Sequence, residues 1–144
     1  MKKCAMVSIV VLISFGIPFA AVAGDFDGSR PVLFSVISVI ECTPDGNCRE
    51  VTAESAHLPQ FLKIDFEKKT ITRAMGSAGK QVTDIERMER VDGKLILQGA
   101  EDGVENVRDG LGWTVAISEE TGKAILTASG EQVAFVVFGA CLPL

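Results

Sequence analysis

His57, set in Ser55-Ala56-His57-Leu58-Pro59, is the single histidine of a 144-residue chain and its first candidate for proton transfer. An imidazole titrates near working pH, so it could act as general base for Ser55 or for Cys141. No nucleophile elbow or other catalytic signature surrounds it, and the plainer reading is a loop histidine ahead of a proline. Structural zinc normally takes four Cys or His ligands, and a Cys3His set would use every such residue after the first two dozen positions, widely spaced. No metal or cofactor is expected.

Other chemistries fail on spacing. Asp25-Phe26-Asp27-Gly28 suggests a calcium loop, but its glycine falls fourth instead of sixth and Val36 stands where a bidentate Glu is needed, so it reads as a polar N-terminal tail. Gly76-Ser77-Ala78-Gly79-Lys80 has two residues between its glycines where a phosphate loop has four. Carboxylates are numerous, yet nothing in the sequence brings two of them to the roughly 5 to 9 Å that glycoside hydrolysis requires. The strongest charge feature is Glu101, Asp102, Glu105 and Asp109, close to Trp113. It reads as a solvated acidic loop or as a docking surface for a cationic protein, with Trp113 as anchor or as a core residue.

Cys42 and Cys48 flank Thr-Pro-Asp-Gly-Asn, in which Pro44 presets one backbone angle and Gly46 and Asn47 accept positive φ. The chain can therefore reverse and face the two thiols, which predicts a disulfide worth about 2 kcal/mol through a short loop. A rival pairing of Cys141 with either would close a loop of about 100 residues and gain about 4.7 kcal/mol. Chain proximity favours the short bridge and leaves Cys141 over, buried or pairing between chains.

The elements that hold these residues begin after a leader. Met1-Lys2-Lys3, an apolar run from Ala5 to Ala20, and Ala21-Val22-Ala23 have the layout of a cleaved secretory signal over residues 1–23, the alternative being a retained anchor. The remaining residues 24–144 carry 12 basic and 19 acidic groups, a net charge of −7. That balance argues against nucleic acid and against an anionic membrane surface. The expected product is an exported or periplasmic single domain with no stable membrane span.

Within it, Val32, Leu33, Phe34, Val36, Ile37, Val39 and Ile40 form a β-branched run expected to be covered on both faces, as is Val133 to Phe138. Leu62, Ile64 and Phe66 alternate with Lys63 and Asp65, and Trp113, Val115 and Ile117 with Thr114 and Ala116, the period of a strand with one wet face. Asp92-Gly93 and Thr121-Gly122 each launch a strand that begins with lysine. Val82, Ile85, Met88 and Val91 recur every three residues, which fits a bulged strand or a short helix over 83–90. Eight or nine short strands indicate an all-β fold, an antiparallel meander closing into a lipocalin-like up-and-down barrel, with a β-sandwich as alternative. The two doubly apolar strands should be neighbours that close it.

Thr52-Ala53-Glu54-Ser55, Leu58-Pro59-Gln60-Phe61, Ile64-Asp65-Phe66, the stretch from Asp92 to Gly99 and the ending Phe138-Gly139-Ala140-Cys141 resemble a group of small exported bacterial β-rich proteins of unassigned function. The resemblance spans most of residues 24–144 and implies export. In size and compartment alone the chain is also similar to small exported β-barrel inhibitors of lysozyme, although it has no tyrosine.

The expected function is a non-enzymatic exported binding module. Its ligand is either a cationic envelope protein or a small apolar molecule held in a barrel lined by residues such as Phe34, Phe66, Leu97 and Phe135. The alternatives are a small hydrolase and a structural or self-associating envelope protein.

Overall fold

The structure is a computed structural model that describes residues 25–74, 82–104, 106–107 and 109–144. The leader over 1–23, the glycine pair at 76–80 and Glu105 lie outside the described residues. Short runs of alternating apolar and polar side chains, broken by Gly, Asp and Pro turns, give ten strands and no α-helix among the described residues. They are β1 (Val32–Cys42), β2 (Cys48–Val51), β3 (Phe61–Asp65), β4 (Thr70–Arg73), β5 (Val82–Asp84), β6 (Arg87–Val91), β7 (Lys94–Glu101), β8 (Leu111–Ser118), β9 (Lys123–Ser129) and β10 (Ala134–Pro143).

All ten belong to one antiparallel sheet in the order β5-β4-β3-β1-β10-β9-β8-β7-β6, with β2 paired to the end of β1. The two ends of that path are consecutive in sequence. Ile85 N donates to Lys69 O at 2.8 Å, beside β4, and Glu86 N donates to Gln98 O of β7 at 2.9 Å. Residues 82–91 therefore form one strand bent at Ile85-Glu86, and the meander curls into a barrel-like sheet instead of a two-layer sandwich. The helix alternative over 83–90 gives way to this bent strand. Its period of three is a product of the bend: Ile85 is buried, whereas Val82, Met88 and Val91 are exposed.

The first and last long strands close the sheet, as their apolar character predicts. β1 pairs with β10 from Val32↔Pro143 to Cys42↔Ala134, and one bulge between Val36 and Ser38 pushes Ile37 outward to 72% exposure. The expectation that both faces of these strands are covered is corrected. A curled single sheet has only one interior, so Phe34, Val39 and Val137 are buried while Phe138 and its cross-strand partner Ile125 remain exposed.

The interior is packed at one end and open at the other. Phe34, Ile64, Leu95, Leu97 and Ile117 are each at most 2% exposed, and burying each such side chain contributes about 1.5 to 3 kcal/mol. A Cβ on Gly139 would stand 2.5 Å from Phe34 Cζ and from the Ser35 carbonyl oxygen, so only glycine leaves room for that ring. The segment read from sequence as a polar tail is the floor of this end. Phe26 packs its ring on Gly122, Gly28 lies against Leu95 and Phe66, and Arg90 donates to the Asp27 carbonyl. Phe26, an apolar residue among carboxylates, is what makes this segment fold back. Cys141, near this floor, is a buried free thiol, and at the other end the Cys42–Cys48 disulfide clips the β1–β2 hairpin.

Candidate functional site

Side chains that point inward from the open end bound a cavity of about 610 Å3. Its wall is made by Val39 of β1, Leu62 of β3, Ile71 of β4, Trp113 of β8, Leu126 of β9 and Val137 of β10, with Leu111, Ala128 and Phe135 at the rim. These positions alternate with outward residues along each strand, so the pleat commits them to the interior, in β1 with the help of the bulge at Ile37 that turns Val39 inward. The turn Ala56-His57-Leu58-Pro59 covers one flank, because β3 pairs only with the first part of β1 and β2 takes the rest.

This turn is held by its own bonds. Ala56 N donates to Thr52 O at 3.1 Å, Leu58 N to Ala53 O at 2.8 Å, and Ser55 N to Thr52 Oγ1 at 3.1 Å. It is tied to the barrel by Gln60: Val36 N donates to Gln60 O at 3.0 Å and Gln60 Nε2 to Val36 O at 2.5 Å.

Polar groups gather on one side of the mouth, where β4 and β7 end and β5 begins. Thr72, Arg73, Thr83, Glu101, Asp102 and Asp109 contribute to the lining there. Thr83 Oγ1 donates to Glu101 Oε1, and Asp109 Oδ1 accepts from Val104 N at 2.7 Å. Arg73 is exposed and forms no ion pair with a described residue. Trp113 is 8% exposed; its Nε1 is fully covered and has no hydrogen-bond partner among the described residues.

No family model, curated protein or solved structure matches the chain. Function must therefore be argued from the cavity and its rim.

The structure scatters the residues first considered for chemistry. His57 is exposed at the mouth with φ of 55°, while Cys141 lies near the floor, its N–H donating to Gly122 O at 2.7 Å. Burial pushes the Cys141 thiol up to about 12. Ser55 Oγ donates to Thr52 O at 2.9 Å within its own turn. No three His, Cys, Asp or Glu among the described residues stand close enough to hold a metal ion. Carboxylates held below their ordinary range serve turns: the Lys68 N–H lowers Asp65, the Thr43 hydroxyl lowers Asp45, and the Ser29 hydroxyl lowers Asp27.

Of the four residues expected to line the barrel, Phe135 borders the cavity. Phe34, Phe66 and Leu97 are buried in the packed end and do not reach it. Of the acidic surface, Asp102 and Asp109 are exposed and Glu101 is half-buried. Trp113, considered as an anchor for a protein partner, is instead a wall of the cavity. Sequence reasoning missed Val39, Leu62, Ile71, Leu126 and Val137 as lining. Strand parity marks all but Val39 as inward, Val39 being turned in by the bulge at Ile37, and only the depth at which packing stops separates them from the core.

Proposed function

We propose that the protein is a non-enzymatic, exported β-barrel that holds a small, mainly apolar molecule in its interior cavity. One observation carries this reading: a cavity of about 610 Å3, open to solvent on one side, is lined mainly by aliphatic and aromatic side chains and is not filled by the described residues. An open cavity leaves its apolar wall in contact with water, a cost that an apolar occupant offsets. The volume falls in the range of ligand pockets, about 300 to 1,000 Å3, and the few polar groups on one side match how such pockets orient a guest. Export is supported by the leader-like first 23 residues and by the resemblance to small exported proteins.

The test is a titration with 1-aminoanthracene, an uncharged fluorophore that brightens when it leaves water. The expected outcome is saturable brightening at one site per chain, reversed by 1-dodecanol. A linear response with no saturation contradicts the reading.

A second reading rests on the loop beside the mouth, where exposed Val104 and Val107 sit between exposed Asp102 and Asp109. Apolar residues framed by carboxylates suit a cationic protein from the cell envelope. Capture from envelope extracts that disappears at high salt supports it, and capture indifferent to salt removes it.

A further inference from the structure

The outer surface of the barrel breaks the pattern that its inner surface obeys. An antiparallel sheet with one face on a core and one in water carries polar residues on the wet side. Four adjacent strands here do not. β1 as far as Ile40, β10, β9 and β8 follow one another in the sheet and together hold a single charged residue, Lys123 at the floor end of β9. The outward side chains in the middle of this face are large and apolar. Ile37, left without a cross-strand partner by the bulge, is 72% exposed beside Phe138, which is 42% exposed and faces Ile125 across β10 and β9. Ile125 in turn adjoins Ala116 of β8, and exposed Leu142 extends the patch along β10.

The chemistry of this face decides between partners. A cationic protein finds no carboxylate on it, and an anionic one finds only Lys123. Hydrocarbon would strip water from outward hydroxyls such as Ser38, Thr114 and Thr127 and give them no hydrogen-bond partner. A second copy of the same face brings apolar side chains and hydroxyls together. Residues 24–144 carry a net charge of −7, so two copies approach at least electrostatic cost where carboxylates are missing. Four strands about 4.8 Å apart and some 25 Å long give a face about 20 by 25 Å in plan. That is on the scale of the ~800 Å2 of accessible surface that each partner buries in a stable interface.

We infer that two copies of this chain pack through the outer face of β1, β10, β9 and β8, with Ile37 and Phe138 at its centre, in a two-fold arrangement that sets each patch on its twin. The contact lies on the opposite surface of the sheet from the cavity, so it stands independently of the ligand-binding reading.

Sedimentation of the purified protein over about 1 to 200 µM tests it by mass action. The expected result is a reversible monomer–dimer equilibrium that tightens between about 50 and 500 mM sodium chloride, because salt screens the net repulsion and no ion pair across the face is weakened. Ile37→Lys and Ile125→Lys, at positions already exposed, are expected to weaken the dimer about tenfold or more with circular dichroism spectra unchanged. Val91→Lys, at an exposed apolar position of β6 outside the face, is expected to leave the equilibrium as it is. A monomer at every concentration, or a dimer that loosens with salt, overturns the inference without recourse to any variant. A dimer that Ile37→Lys and Ile125→Lys leave intact, or that Val91→Lys weakens equally, overturns it as well. So does a monomer that adsorbs to vesicles of phosphatidylcholine and phosphatidylglycerol, which assigns the face to lipid.

Discussion

Trp113 and Gly99 are direct partners across β8 and β7, and the indole occupies the space that a side chain at position 99 would need. A Cβ on Gly99 would stand 2.9 Å from Trp113 Cε2 and 2.7 Å from the Asp84 carbonyl oxygen of β5. The indole therefore reaches from β8 across β7 toward β5, where the bent strand joins the two ends of the sheet. One missing side chain thus sets both the seam of the barrel and one wall of the cavity.

Gly99→Val is expected to displace the ring and lower stability by about 1 to 3 kcal/mol, the usual cost of forcing volume into a packed position. Urea unfolding followed by the emission of Trp113 measures it. The expected result is a lower midpoint and a red-shifted native emission; an unchanged midpoint and spectrum would mean that the ring does not lie on Gly99.

Val137→Phe adds volume on the cavity wall. Stability is expected to hold or to rise by up to about 1 kcal/mol, because a void is filled, while affinity for 1-aminoanthracene falls about tenfold or more. Parallel urea and fluorophore titrations separate the two effects. Loss of stability without loss of binding would place the ligand elsewhere.

Reduction of the Cys42–Cys48 bridge releases a short loop at the β1–β2 hairpin and no part of the β1–β10 closure. The expected loss is about 2 kcal/mol, with the strand-dominated circular dichroism spectrum retained. Collapse of that spectrum under reductant would show that the hairpin holds the barrel together.

Burial holds the Cys141 thiol protonated up to about pH 12, against an ordinary value of 9.0. In the unfolded chain the thiol ionises from about pH 9, so its contribution to stability is complete below that pH and is lost as pH rises from 9 toward 12. Wild type is therefore expected to lose more stability than Cys141→Ala between pH 8 and 11, with no tyrosine to confuse the comparison. The native thiol should also resist alkylation at pH 8 until urea unfolds the chain. Equal pH profiles and rapid native alkylation would place Cys141 at the surface.

Much of the fold was legible because strand pleat writes itself into sequence. The alternation at Leu62-Lys63-Ile64 and at Trp113-Thr114-Val115 marks inward positions directly, and the Pro-Asp-Gly-Asn turn faces Cys42 toward Cys48. The pairing of β1 with β10 followed from two strands too apolar to stand at open edges. What alternation does not encode is depth. Phe34 and Val39 both face inward, on either side of the bulge at Ile37, yet Phe34 belongs to the packed end, on the space left by Gly139, while Val39 borders the void. The floor was missed for a related reason, since Phe26 reads as part of an acidic tail until Gly122 gives its ring a place to rest. At Val82 to Val91 a bend, invisible to periodicity, turned one strand into an apparent helical repeat.

The most direct test of the central claim is a crystal of the purified protein grown with 11-bromo-1-undecanol and measured at the bromine absorption edge. The account predicts one anomalous peak inside the sheet, bounded by Val39, Trp113, Leu126 and Val137. A cavity closed by its own side chains, or bromine found only on the outer surface, would contradict it.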